Sequence, residues 1–258
     1  MQDKITKFWD KKPCGSQTSV FILPIAYFQE TEDYRYRMMP FIKGFAQFEK
    51  YRGKMVLEIG IGIGCDFAQW VKNGALAYGI DASSESVELT RKRLKAYNLR
   101  VVDIQVADAQ QLPYKDNLFD AVYSWGVLHH VPDTKGAISE AIRVCKVGGE
   151  IKLMLYNRSS IHVYLFWIYN NLRGNFPKSL KRSFYEDFES IGTKVFTQKE
   201  IVAMLPKNVV VEKMWCPISG YELMLDKSKF LQFFAKIFYG IVGKQSGFFR
   251  LIVLRKTK

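Results

Sequence analysis

The chain has 258 residues, 48 % of them hydrophobic and 24 % charged, with 38 Lys and Arg against 25 Asp and Glu for a net charge of +13. Such proportions exclude a disordered chain and suit one large α/β domain with a full core. The longest apolar runs, such as Val163 to Tyr169, stop far short of the roughly 20 residues that a spanning helix needs, so no transmembrane segment is expected.

Residues 1–50 read as an N-terminal arm. Its aromatic residues, among them Phe8, Trp9, Tyr27 and Phe28, offer enough apolar area either to close over a ligand as a mobile lid or to pack on the edge of a sheet. Tyr34 to Arg37 would then lie near the rim. From 51 to 158 short apolar runs alternate with helical stretches, and "MVLEI", "LAYGI", "VDIQVA", "DAVYS" and "EIKLMLY" predict five strands. "CDFAQWVKNG" places Phe67, Ala68, Trp70 and Val71 at helical spacing and stops at Asn73-Gly74. "SSESVELTRKRLKAYN" opens with serine caps and sets Val87, Leu94 and Tyr97 on one face. Strands alternating with helices predict βαβ units, hence a buried, doubly wound α/β sheet.

In such a sheet the ligand crevice lies beyond the carboxyl ends of the strands. The first strand runs into "LEIGIGIGCD", where Gly60, Gly62 and Gly64 follow Glu58. Stripping side chains from that turn lets the backbone bend tightly and a ligand come within van der Waals contact. A dinucleotide site would need G-x-G-x-x-G, but Cys65 stands where the third glycine should, and the P-loop lysine is missing as well. Glu58 would repel a pyrophosphate and suits a cationic ligand. Asp81, some twenty residues beyond, is placed to accept hydrogen bonds from two ribose hydroxyls, which by itself does not discriminate between cofactors.

Glu58-x-Gly60-x-Gly62-x-Gly64 resembles the first signature of the class I S-adenosylmethionine-dependent methyltransferases, in particular the small-molecule group of methyltransferase domain 11 and 25 type. "AYGIDAS", "VADAQQLPYKDNLFD", "FDAVYSWGVLHHVPD" and "VCKVGGEIKLMLY" resemble the signatures that follow in that family, with Val147 in place of the usual Pro in the last. The resemblance implies a seven-stranded, mostly parallel Rossmann-like sheet of order 3-2-1-4-5-7-6 with an antiparallel last strand. It also implies S-adenosylmethionine as cofactor and S-adenosylhomocysteine as product. Asp108 would bond the adenine amino group and the Ala109 backbone N–H the ring, with Ile59 and Ala82 beside the cofactor together with Glu58, the three glycines and Asp81. Ser124, Trp125, Gly126 and His130 complete the implied cofactor set, although Trp125 fits the core equally well.

Methyl transfer is an in-line displacement at a carbon already activated by sulfonium, so alignment of donor and acceptor is the main contribution, about 7–11 kcal/mol. A base is needed only for a protonated acceptor. His129 and His130, following the fourth strand, are candidates for it; the competing assignment has one bracing the helix begun at Pro132-Asp133 and the other touching cofactor. Tyr156, ending the fifth strand, either orients an acceptor or packs. Arg158 either meets an acidic substrate group or stays at the surface.

Residues 159–197 read as an insert on the substrate side, where Tyr164 and Trp167, with neighbouring aromatics, suit a planar or apolar acceptor or else form core. Residues 198–258 supply a closing helix, "TQKEIVAMLP", and the strands "NVVVEKMW" and "FFRLIVLRKT". With Trp9, Tyr27, Tyr34, Arg37, Tyr156 and Arg158, the two insert aromatics make up the substrate-side candidates. The start "FWDKKPC" resembles the arm of a group of small-molecule methyltransferases.

From Ser159 onward 16 Lys and Arg face 7 Asp and Glu, so +9 of the charge lies in the last hundred residues. The cations are scattered without an RNA-binding signature, so a basic, solubilising surface accounts for them. A nucleic-acid partner is disfavoured; an anionic acceptor, or contact with an acidic membrane surface, stays open. Cys14, Cys65, Cys145 and Cys216 show no Cys-x-x-Cys pairing, so neither a metal site nor a disulfide framework is expected. The N-terminal residues lack an apolar signal core, and a cytoplasmic location is expected. The functional expectation is methyl transfer to O, N or C of a small-molecule acceptor in a biosynthetic pathway. Two alternatives stand beside it: an RNA or protein methyltransferase, although no Asn-Pro-Pro-Tyr-like motif follows the fourth strand, and a non-catalytic cofactor-binding scaffold. The oligomeric state has no signature.

Overall fold

A computed structural model describes residues 2–11, 25–174, 177–190, 192–243 and 245–258. Five parallel strands, β1 (Met55–Ile59), β2 (Leu76–Asp81), β3 (Asp103–Val106), β4 (Phe119–Trp125) and β5 (Cys145–Tyr156), are completed by β6 (Val209–Trp215) and β7 (Phe249–Lys256). The sheet order is β3-β2-β1-β4-β5-β7-β6, with β7 antiparallel to both neighbours. That is the order the signatures implied. Alternation along the strands buries both faces: Ile151, Leu153 and Leu155 of β5 pack with Leu57, Val122 and Ile138, while Met154 and Tyr156 pack on the other side with Val56, Trp70 and Tyr123.

The crossover helices start where the chain supplies caps. Ser83 Oγ accepts from Ser86 N (3.1 Å) at the start of α5 (Ser84–Ala96), and Asp133 Oδ1 from Gly136 N (2.9 Å) at α6 (Thr134–Val144). The closing helix α9 (Gln198–Met204) opens with a full capping box between Thr197 and Glu200. Register then builds the site: Glu58 pairs with Gly79 and Tyr123, and Ile59 with Ile80 and Ser124. The carboxyl ends of β1, β2 and β4 therefore finish level, and the loops after them open on one side.

Two cations fasten the N-terminal arm. Arg93 of α5, wholly buried, donates to Ile63 O (2.7 Å) of the glycine turn and to Phe28 O (2.9 Å) and Thr31 Oγ1 (2.7 Å) of α2 (Ile25–Met38). Lys152 of β5 donates to Phe45 O (3.0 Å) and Ala46 O (2.9 Å), the last carbonyls of α3 (Phe41–Ala46), and to Gln47 Oε1. Burial brings Lys152 down to about 8, and the free carbonyls of a helix C-terminus hold its charge. For residues 25–46 the picture of a mobile lid gives way to an arm pinned by buried donors. Pro13 and Cys14 lie outside the described residues.

The closing hairpin holds more than the sequence reading found. Between β6 and β7, residues 216–248 carry a further helix, α10 (Lys229–Val242), while the 159–197 insert forms α7 (Ile161–Arg173) and α8 (Leu180–Asp187). Among the described residues no helix is long and apolar enough to cross a membrane.

Gly64 caps α4 (Cys65–Lys72) at φ +77°, and a Cβ there would stand 2.9 Å from the Thr90 side chain. Left-handed strain and overpacking together predict that Gly64→Ala lowers stability by about 2–4 kcal/mol. Urea denaturation checks this; an unchanged midpoint contradicts it.

Candidate active site

The strand ends, the glycine turn, α1 (Gln2–Lys11), α2, residues 188–189 and the 216–248 excursion enclose a cavity of about 720 Å³. Many predicted residues meet there. Glu58, Ile59, Gly60, Gly62, Asp81, Ala82, Ala109, Trp125, Gly126 and His130 line it, as do Trp9, Tyr27, Tyr34 and Tyr156. Trp125 serves both readings, since its ring also packs on Phe45 (6.0 Å) and Phe249 (5.9 Å) in the core.

At the end formed by β1 and β2, carboxylates are held by specific donors. Glu58 is almost fully buried and accepts from Trp70 Nε1 (2.9 Å); burial, then repulsion from Asp66, pushes its carboxyl well above the ordinary range. Asp81 accepts from Gly62 N and Ser83 N, both at 2.9 Å, clamping the glycine turn to the end of β2, and burial pushes it up to about 6. Asp66, in the first turn of α4, was not singled out from sequence. Its carboxylate takes a bidentate pair from Arg35 (Nε 2.9 Å, Nη2 2.5 Å) and hydroxyls from Tyr36 (3.0 Å) and Tyr123 (2.7 Å). Arg35 thus brings α2 onto the cofactor side of the sheet.

Opposite lies a second polar group built around Glu189, also missed. Tyr156 OH donates to Glu189 Oε2 (2.8 Å), and His130 Nε2 stands 3.4 Å from the same oxygen. Ser190 Oγ and Thr193 Oγ1 lie 3.0 and 3.1 Å from His130 Nδ1; with Ser190 donating there, Nε2–H is directed at Glu189. Glu189 occupies φ +50°, a conformation a non-glycine residue adopts only when its surroundings impose it. Glu222 completes this end, its carboxylate accepting from Ser219 N, Ser219 Oγ and Phe248 N (2.9 Å each), with burial raising its pKa. Among the described lining residues, Glu30, Glu58, Asp66, Asp81, Glu189 and Glu222 face a single guanidinium, Arg35.

Gly64 stands outside the lining, and both it and the lining residue Gly60 answer to protein neighbours: a Cβ on Gly60 would come 2.0 Å from Val127 Cγ2, so close packing, and not a ligand alone, strips these positions. Other predicted residues also stand elsewhere. Ser124 ties β4 to β1 through Ile59 O (3.1 Å) and does not line the cavity. Asp108 turns its carboxylate to Gln110 N (2.9 Å), leaving Ala107 and Ala109 on the cavity wall. His129 is fully buried behind Tyr156, ring centroids 3.9 Å apart, and burial with the neighbouring His130 pulls its pKa well below the ordinary value, which keeps it neutral. Arg158 pairs with Glu200 (2.8 Å), Arg37 lies over Tyr34, Trp167 Nε1 bonds Lys178 O (2.7 Å), and Tyr164 is exposed on α7. None of these four lines the cavity. Among the described residues of the 159–197 insert, His162, Phe188 and Glu189 reach it.

Fold and site together define a Rossmann-like domain whose acidic crevice suits a cationic nucleoside ligand in place of a pyrophosphate. Residues 57–153 match the family profile described as "Methyltransferase domain". Those residues form a methyltransferase domain similar to that of the class I S-adenosylmethionine-dependent methyltransferases, whose cofactor is S-adenosylmethionine. It is 32 % identical over 118 residues to phosphoethanolamine N-methyltransferase 2 of Caenorhabditis elegans, covering 45 % of this chain and 26 % of that protein. It is 33 % identical over 104 residues to phosphatidylethanolamine N-methyltransferase of Cereibacter sphaeroides, covering 40 % and 51 %. The chain therefore spans about half or less of these curated relatives. In fold it is similar to geranyl diphosphate C-methyltransferase from Streptomyces coelicolor A3(2), with TM-score 0.66, 15 % identity and coverage of 99 % and 97 %.

Removing Arg35 leaves a buried carboxylate without its cation. Arg35→Ala is expected to cost about 3–5 kcal/mol, read by chemical denaturation; a loss below about 1 kcal/mol contradicts the geometry. Accepting ribose hydroxyls needs Asp81 ionised, so cofactor affinity is expected to be flat above about pH 7 and about tenfold weaker near pH 5, the proton on Asp81 competing below its pKa. Calorimetry that finds equal affinity at both pH values removes Asp81 from the contact.

Proposed function

We propose that the protein transfers the methyl group of S-adenosylmethionine to a small-molecule acceptor that is neutral or cationic. The observation that carries this reading is the acidic lining of the cavity: six carboxyl groups against one guanidinium among its described lining residues, with that guanidinium paired to Asp66 and with the pKa values of Glu58, Asp81 and Glu222 raised by burial. At close range that lining disfavours phosphate, sulfate or carboxylate on the acceptor. Nucleic-acid substrates are disfavoured for the same reason. A cavity of about 720 Å³ has room for a nucleoside cofactor and a modest acceptor side by side. Two relatives are named for N-methylation of phosphate-bearing ethanolamine compounds, so their amine agrees with this reading and their phosphate does not.

S-adenosylmethionine, when bound, supplies a methyl group activated by sulfonium. Glu58 and Asp81 fit its ammonium and ribose hydroxyls, and the glycine turn lets it approach the backbone. At the acceptor end Tyr34, Tyr156, Tyr221, Phe248 and Phe249 line the wall, and aromatic faces stabilise an amine that carries charge before or after transfer. Glu189 is the group placed to take the proton that an ammonium or hydroxyl must lose before its lone pair can attack. Tyr156 and His130 direct donors at the Glu189 carboxylate and hold it in place. Proximity and orientation in a closed site account for the rest of the rate.

Incubation with methyl-labelled cofactor and a cell extract, followed by separation by size and charge, tests the reading. Label is expected in a small, neutral or cationic product. Label confined to RNA, protein or small anions overturns it. Glu189→Gln is expected to lower kcat about a hundredfold or more while leaving cofactor affinity within about threefold; full activity in that variant removes Glu189 from proton transfer.

A further inference from the structure

Helix α10 presents its apolar face outward. Ser228 caps it, and only Ala235 and Tyr239 of its fourteen residues are buried. Phe230, Phe233, Phe234, Ile237, Phe238 and Ile241 are all exposed, Phe230 at 70 % and Ile241 at 81 %. At 100° per residue these side chains fill one broad arc, away from Ala235 and Tyr239, and Lys229 and Lys236, two turns apart, flank one margin of it. With Leu231 and Val242 the exposed face amounts to on the order of 800 Å², taking about 200 Å² for a fully exposed large side chain. That exceeds what a soluble monomer commonly leaves bare.

We propose that α10 lies in the surface of an anionic lipid bilayer and seats the protein on it. Charge decides between this and a second copy of the chain. The cations of α10 itself are Lys229 and Lys236, and the helix carries no Asp or Glu; outside it, Lys227 pairs with Asp226 and Arg255 with Glu150 and Glu212. A two-fold pairing of α10 with itself would bring the lysines of two copies onto one interface with no acid on the helix to oppose them. An anionic bilayer takes both the apolar face and the lysines. Fourteen residues make a helix of about 21 Å, too short to cross roughly 30 Å of hydrocarbon, so the helix lies in the plane. Its place in the fold connects that surface to the cavity: Trp215 pairs with Leu251 and Tyr156 with Phe249, so the excursion leaves and rejoins the sheet at the cavity end. Ser219, Tyr221 and Glu222 of the same excursion line the cavity, and Tyr239 of α10 lies in the field of Glu222. A second exposed stripe, Leu165, Ile168 and Leu172 on α7, begins just beyond Tyr156.

This inference stands apart from methyl transfer, because membrane binding is read without turnover. The full chain is sedimented with phosphatidylcholine vesicles, with and without an equal part of phosphatidylglycerol, at low and high salt. The wild type is expected to bind the anionic vesicles at least about tenfold better than the neutral ones. Phe230→Asp with Ile241→Asp, both at exposed positions, is expected to lose at least about tenfold of that binding. Lys229→Ala with Lys236→Ala should lose part of it and flatten the salt dependence, with calorimetric affinity for the cofactor unchanged in both variants. Absent wild-type binding, equal binding to both vesicle types, or an Asp pair that binds like wild type overturns the proposal. A wild-type dimer that the Asp pair dissolves, without vesicle binding, assigns the face to a second copy instead.

Discussion

The pairing of Asp66 with Arg35 is the interaction on which the site rests. A carboxyl group at this depth is costly unless its oxygens are filled, and here a guanidinium fork and two phenols fill them. The three donors come from two parts of the chain, Arg35 and Tyr36 from α2 and Tyr123 from β4, so one carboxylate of α4 joins arm, helix and sheet. The N-terminal end of α4 favours the negative charge as well. Arg93 adds a second clamp on the same arm, drawing α2 to the glycine turn through backbone carbonyls.

A wall so rich in carboxylates has consequences for what enters. Glu58 and Asp81 are raised by burial, so their ionised forms are held at a cost that a cationic ligand offsets. A pyrophosphate would add to that cost. Glu189 and Glu222 line the far end beside the aromatic wall. In the 159–197 insert, Lys178 and Arg182 pair with Glu186, and Lys181 with Glu200.

The two ends of the sheet's last hairpin divide the labour. β7 pairs along β5 and carries Phe249 to the cavity, while the excursion that precedes it supplies Glu222 to the wall and α10 to the outside. One segment thus faces both the reaction chamber and the medium. Its polar bonds through Glu222 join Ser219 to Phe248, just before β7, and so close the two ends of the excursion on each other.

The sequence by itself determined the strands, the capped helices, the glycine turn and the acidic residues Glu58 and Asp81 at the strand ends. These are legible because their causes are local: side-chain alternation, serine and threonine caps, glycines at positive φ and a carboxylate directly beside them. The family signatures added the strand order, which periodicity could not provide. Only the tertiary structure decided that Arg35 meets Asp66, that Lys152 closes α3 across 107 residues of chain, that Glu189 and not His129 faces the cavity, and that α10 turns its phenylalanines outward. Each of these depends on where distant segments come to lie, and an apolar residue reads the same in sequence whether it faces the core or the solvent.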